Sequence, residues 1–460
     1  MSTRPELPKR ERAQSPYFGN ARPNAACRAV GWAGHTAPHS EPDTGNGTPV
    51  RTQEVAINSC PEGGSQGGAC TAALHQARKR ATPYAAPVKR LIVAAGGGGD
   101  AVAAAMLHAA LYAADDEPAL ILTYSWDRLI VDPVPGPRAP ADFTALRQLT
   151  PHVWAVPGEV TLEPPHKATL PRLAAELPHV FALIDPYAGA TGITRQLDEL
   201  TTHFTPQTID LLDVGGDILA HGDEPTLRSP LADALTLAAC TRAKAAPIIR
   251  LLVAGPGLDG ELPADTLRPR LGPLIATFTP DDVRSIATVL DWHPSEATAL
   301  LAATALGARG LCEVRDAGLP VPLTDEGPTV HHVDLRAAFT ANRLARALAD
   351  TTTLDEAEER CRTICGTSEI DYERAKAQRL GRQQAVGPSV PRDLPAQIRN
   401  FEQAAIARGT THTTIRRLAE ALGLPGEALQ HLAQLNTARA RHHPASVWEL
   451  HGAAEAPCGG

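Results

Sequence analysis

Five short apolar runs constrain this chain more than any other feature. They are KRLIVAA (89–95), PALILTY (118–124), HVFALID (179–185), TIDLLDV (208–214) and IIRLLVA (248–254). Runs of this length, rich in β-branched residues and apolar at consecutive positions, belong in strands covered on both faces of a parallel sheet. Between the first two lies AVAAAMLHAALYAA, an alanine-rich stretch with Leu and Met at helical spacing. A second helix-like stretch, SPLADALTLAACTRA, precedes the last run. Strand, glycine loop, helix, strand is a βαβ unit, and its crossover into a parallel sheet is right-handed by default. The pattern predicts an α/β domain with a doubly wound, mostly parallel sheet over residues 86–385.

The flanks read differently. Residues 1–85 carry nine Pro and nine Gly but only seven Leu, Ile, Val or Met, with runs such as PEGGSQGGAC. So few apolar side chains do not offset the entropy of ordering the backbone, so this stretch is expected to be a disordered extension, or to precede the true start of translation. The opening residues have no apolar core segment and do not form a secretory signal. After PSVPRDLP (388–395), residues 395–445 are expected to form a small helical hairpin appendage, with seven Arg against four Asp or Glu from Pro391 to Ala445. Within it, TIRRLAEALGLPGEALQHLAQL resembles a helix-turn-helix DNA reader, and it equally fits an αα-hairpin packed on the main domain.

Composition narrows the function classes. The 43 Lys+Arg against 51 Asp+Glu give a net charge of −8, which argues against nucleic acid as a partner. No uninterrupted apolar run reaches the ~18 residues of a membrane span. The eight Cys form no C-x-x-C pair and match no zinc spacing, which points to the cytoplasm.

Open α/β sheets bind ligands in the crevice beyond the carboxyl ends of their strands, and the loops here are built for that. The first is Gly96, Gly97, Gly98, Gly99 and Asp100. Glycines let backbone approach a ligand closely, and the following helix offers free N–H groups to an anion. The same residues also suit a tight turn with Asp100 as helix cap. After the second run, Arg128 is placed to pair bidentately with phosphate or carboxylate, while Trp126 stacks a planar ring or anchors packing. Asp185, at the end of the third run, either holds a ribose hydroxyl or metal or caps its turn.

The fourth run feeds the densest loop, Asp213 to Glu224, with four acids and one His in twelve residues around Gly215 and Gly216. Grouped carboxylates beside a glycine loop coordinate Mg2+ or bind hydroxyls, and one acts as general base if its neighbours raise its pKa. Asp217, Asp223 and Glu224 are the candidates, with Asp217 and Asp223 as the metal ligands if Mg2+ is present. The last run leads to Asp259 on another glycine turn, completing the candidate catalytic set. His331-His332-x-Asp334 is set aside, because adjacent side chains on a strand point to opposite faces.

The ordered segments GGGGD (96–100), WDR and DPVPGP (126–137), DVGGDILAHGDE (213–224) and GPGLDGEL (255–262) resemble an uncharacterised family, domain-of-unknown-function family 1152, over residues 88–380. The resemblance implies a Rossmann-like α/β domain and carries no activity or catalytic residue with it. From the residues themselves, the expectation is an enzyme of small-molecule metabolism. It would bind an anionic metabolite, most simply a nucleotide or sugar phosphate, on Gly96–Gly99, with Asp217, Asp223 and Asp259 holding hydroxyls, Mg2+ or a transferred proton. No nucleophile elbow or metalloprotease pattern selects transfer, hydrolysis or elimination. The alternative is a metabolite-sensing regulatory protein whose C-terminal helix pair contacts DNA or a partner.

Overall fold

All five apolar runs are strands in the computed structural model, which describes residues 88–384 (except 116 and 247), 393–437 and 444–450. The expected disordered extension lies outside the described residues. The strands in chain order are β1 (Arg90–Ala94), β2 (Leu120–Thr123), β3 (Arg147–Thr150), β4 (Val153–Ala155), β5 (Val180–Leu183), β6 (Thr208–Val214) and β7 (Ile249–Ala254). They continue with β8 (Leu274–Thr277), β9 (Gly310–Val314), β10 (Leu319–Leu323), β11 (Thr329–Val333), β12 (His412–Thr414) and β13 (Val447–Glu449).

Nine strands form one mixed sheet in the order β3-β4-β5-β2-β1-β6-β7-β11-β8. The five central strands, β5-β2-β1-β6-β7, are mutually parallel. The outer pairs run antiparallel to their neighbours. Register follows the pleat: Leu91 lies beside Leu120 and Ile209, and Ile92 beside Ile121 and Asp210. Side chains alternate between two cores, Leu91 and Val93 facing one and Ile92 the other. The helices Gly189–Phe204 and Pro230–Arg242 cover the first face, and Asp100–Tyr112 and Glu296–Ala305 cover the second. Burial on both faces explains why these strands carry almost unbroken apolar sequence.

From β1 the chain winds outward through β2 to β5, then returns to lay β6 and β7 on the other side of β1. The winding therefore reverses between β1 and β6, and the crevice beyond their carboxyl ends is the switch point where such sheets take ligands.

A second sheet has the order β10-β9-β12-β13. The expected C-terminal helices are present as Leu394–Ala407, Ile415–Ala421 and Ala428–Thr437, around a small core that includes Leu418, Leu432 and Trp448. This segment is also joined to the main fold by sheet hydrogen bonds, since β12 runs parallel to β9. Among the described residues, no helix is long and apolar enough to cross a membrane.

Candidate functional site

Beyond the ends of β1, β2, β6 and β7 lies a cleft open to solvent, lined by the loops that follow these strands and by elements further along the chain. Gly96 to Gly99 form its first edge. The Gly96 N–H donates to Asp100 Oδ2 at 3.0 Å, so the loop's first anion is the protein's own carboxylate. Gly99 has no room for a side chain: a Cβ there would lie 2.1 Å from Ser295 Oγ, and Thr298 Oγ1 donates to its carbonyl.

The floor of the cleft is acidic. Asp213, the penultimate residue of β6, is at 0% exposure, and neither of its carboxylate oxygens receives a well-formed hydrogen bond among the described residues. After it, Gly215 and Gly216 take φ of 118° and 103°, turning the chain so that Asp217 opens a short 3-10 turn facing back into the crevice. Asp233 enters from the first turn of the Pro230–Arg242 helix at 4% exposure, with Oδ1 unpartnered. From the loop after β7 come Asp259, whose Oδ2 is unpartnered, and Glu261.

Glu261 is fully engaged. Its oxygens accept from the Arg228 and Ser229 N–H groups at 2.7 and 3.2 Å, from Ser229 Oγ, and from Arg315 Nη2 at 2.8 Å. Burial alone would raise its pKa, but Arg315 and these donors outweigh it and hold Glu261 below the usual range. Its neighbours are compensated less. Burial, opposed only in part by the Gly96 N–H, pushes Asp100 up to about 7. Burial and the Glu261 charge push Asp259 to about 7. Asp213, Asp217 and Asp233 are raised well above the carboxylate range by burial first and then by the charges of neighbouring acids in the cleft.

Cations line the other walls. Arg315 lies in the turn after β9 with φ of 61°, a left-handed conformation that costs a non-glycine residue about 1–3 kcal/mol and clusters at functional sites. That turn carries its guanidinium to Glu261 and to the Asp259 carbonyl. The Glu369–Gln384 helix presents Glu369, Tyr372, Glu373 and Lys376 along one face, at the three- and four-residue spacing that aligns side chains on a helix. Burial, partly offset by Arg128, raises Glu369 to about 8. Arg128 reaches Glu369 at only 3.4 Å and Glu373 at 4.0 Å, and Arg228 makes no ion pair among the described residues, its Nη1 resting on the Pro225 and Leu227 carbonyls. Arg416, from the first helix of the C-terminal pair, bridges Glu296 and Glu420.

Of the residues predicted from sequence, Gly96, Gly97, Gly98, Gly99, Asp100, Arg128, Asp217 and Asp259 all line this cleft. Gly215 and Gly216 shape it from behind, where a Cβ on Gly215 would stand 2.3 Å from Asp259 Cγ. Three expectations are corrected by position. Asp223 lies on the surface, paired with Arg343 at 2.7 Å, so it does not share a metal with Asp217. Glu224 caps the His221 and Gly222 N–H groups and pairs with Arg270. The 3-10 turn at Asp217–Leu219 leads the chain out of the crevice before either acid is reached. Asp185 takes the capping role, accepting from the Tyr187 N–H, away from the cleft. Trp126 is a packing anchor whose Nε1 donates to Glu373 at 3.0 Å.

Sequence reasoning did not select Asp213, Asp233, Arg228, Glu261, Arg315, Glu369, Lys376 or Arg416. Asp233 had a readable signal, a lone acid inside the apolar helix PLADALTLAAC. The others become neighbours only through tertiary structure.

A family model described as a protein of unknown function (DUF1152) matches residues 91–377, and the chain belongs to that family. No curated protein and no solved structure matches the chain.

Proposed function

We propose that this member of the DUF1152 family is an enzyme of small-molecule metabolism that binds an anionic metabolite, a nucleotide or sugar phosphate, in the cleft beyond β1 and β6, with Mg2+ beside it. One observation carries the reading. A single crevice at the switch point holds two loosely engaged guanidinium groups, Arg128 and Arg228, above carboxyl groups, Asp100, Asp259 and Glu369, that burial pushes up to about 7, 7 and 8. The guanidinium fork matches phosphate or carboxylate oxygens bidentately. Acids and bases with pKa values near 7 are the ones that move protons efficiently at that pH. Asp217 and Asp259 are the leading catalytic candidates, with Glu369 as a third. The free thiols at Cys240, Cys312, Cys361 and Cys365 agree with a cytoplasmic setting.

The test is turnover. A phosphorylated ligand found by thermal shift should be converted by the native chain, while Asp217→Asn should keep binding and lose conversion by about 100-fold or more. Binding without conversion in the native chain would refute the enzyme reading. It would favour a metabolite-sensing protein, for which a second observation speaks: Arg416 and Glu420 of the Ile415–Ala421 helix form part of the network at the cleft wall, so filling the cleft bears directly on the C-terminal helix pair. Ligand-dependent binding of a labelled duplex or partner would then be the deciding measurement.

A further inference from the structure

Three separate elements deliver a carboxylate to one point in the crevice. Asp100 opens the helix after β1, Asp213 is the penultimate residue of β6, and Asp233 lies in the first turn of the Pro230–Arg242 helix. One oxygen from each lies within 4.8 Å of the other two. Acids also gather at turns and caps for local reasons, so proximity alone decides nothing. The second observation is the state of their oxygens. Asp213 is fully buried and neither oxygen receives a well-formed hydrogen bond among the described residues, with only the Gly216 N–H and Asp217 close by; Asp233, nearly as buried, leaves Oδ1 without one. Gly96 closes this space from the loop side: a Cβ there would stand 3.0 Å from Asp100 Oδ2 and 3.3 and 3.4 Å from the two Asp233 oxygens.

Ionised carboxylates taken out of water cost several kcal/mol each unless something compensates them. Elsewhere in the cleft a protein group does so, as Arg315 does for Glu261. No Lys or Arg ion-pairs with any of these three among the described residues; what reaches them is a few polar neighbours, the Gly96 N–H donating to Asp100 Oδ2 at 3.0 Å, the Val214 N–H near Asp100, and the Gly216 N–H and Asp217 near Asp213. We infer that Asp100, Asp213 and Asp233 hold a divalent, oxygen-seeking cation. An all-carboxylate set without His or Cys selects Mg2+ or Mn2+ over Zn2+ or Cu2+. Water and phosphate oxygens of the bound metabolite complete the coordination, since Mg2+ is commonly held by one or two carboxylates plus substrate phosphate. The neighbouring group Asp217, Asp259 and Glu261 also lies within 4.8 Å, but both Glu261 oxygens are already occupied, so the first triad takes the ion. This inference rests on the proposed site and fixes where its cation binds.

The experiment uses the full chain and the metal alone. Mn2+ binding is followed by the loss of the free-ion electron paramagnetic resonance signal, and Mg2+ by calorimetry, in phosphate-free buffer. One ion per chain is expected. Asp213→Asn should weaken it by at least about 100-fold and Asp233→Asn by about 10–100-fold, the range seen even for outer-shell changes at metal sites. Asp223→Asn should leave it unchanged. Circular dichroism and a thermal melt establish that each variant is folded. No ion on the native chain at millimolar Mn2+, an ion retained in folded Asp213→Asn, or an ion lost in Asp223→Asn would each overturn the assignment. A phosphorylated ligand that binds equally well in chelator would overturn this inference while leaving the proposed anion-binding function intact.

Discussion

Asp213 is the penultimate residue of a strand, TIDLLDV, whose neighbours in both cores are aliphatic, and a buried carboxylate there is costly to the empty protein. A neutral isostere removes that cost. Asp213→Asn is therefore expected to stabilise the protein in chelator at pH 8 by about 0.5–2 kcal/mol, the usual size of a single stabilising change. Denaturant unfolding measures it, and a clear loss of stability would show that Asp213 is satisfied within the fold. Gly215 should behave oppositely. Its φ of 118° and the approach of Asp259 leave no place for a Cβ, so Gly215→Ala is expected to cost about 3 kcal/mol or more. A cost under about 0.5 kcal/mol would mean the turn relaxes freely. Part of this residue-level picture was legible in the sequence. Asp217 and Asp259 stand directly after apolar runs, where strand ends are easy to locate. Asp223 and Glu224 shared that signal but lie past a 3-10 turn that nothing in their spacing announces. Glu369 and Lys376 are more than 100 residues downstream of those runs and meet the cleft only through helix packing.

Among the elements, β9 joins the two parts of the fold. Glu313 on this strand is almost fully buried and accepts from Arg408 Nε at 2.7 Å, Arg408 Nη2 at 2.8 Å and Thr410 Oγ1 at 3.0 Å, tying the C-terminal segment to the strand that β12 pairs with. Arg408 is about half exposed and stays hydrated when its partner is removed, so Glu313→Ala is expected to cost about 1–2 kcal/mol, the loss of its charged hydrogen bonds. Hydrogen exchange should quicken at the amides of β12 and β13 before those of β1 and β6. Uniform quickening across both sheets would contradict a local role for this joint. The central strands were legible because burial on both faces demands unbroken apolar sequence. The second sheet was not. β10 reads LPVPL, and its two prolines are tolerated only because it is an edge strand; β12 and β13 are three residues each and fall below any periodic signal.

At the scale of the whole molecule, the acidic floor gives stability a pH signature. Burial raises Glu369 from the ordinary carboxylate value of 4.5 to about 8, with Glu373 adding to it. The folded state thus binds a proton that the unfolded state releases, and the stability linked to this group is fully present below 4.5 and is lost as pH rises through 8. Asp100 and Asp259, raised to about 7, act in the same direction. The cation-free protein should melt at lower temperature at pH 8.5 than Glu369→Gln does relative to their difference at pH 5. Parallel melting curves for the two across that window would show that Glu369 ionises freely in the fold. The central claim is that the crevice between β1 and β6 recognises a phosphorylated metabolite through Arg128 and Arg228. Its most direct test is a thermal-shift panel of nucleotides and sugar phosphates with Mg2+, run on the native chain and on Arg128→Ala/Arg228→Ala. At 100 times its dissociation constant a ligand adds about 2.7 kcal/mol to stability. At least one phosphorylated compound should raise the midpoint of the native chain, and the double variant should lose the shift. No shift across the panel at millimolar ligand, or a shift of equal size in the double variant, would contradict that claim.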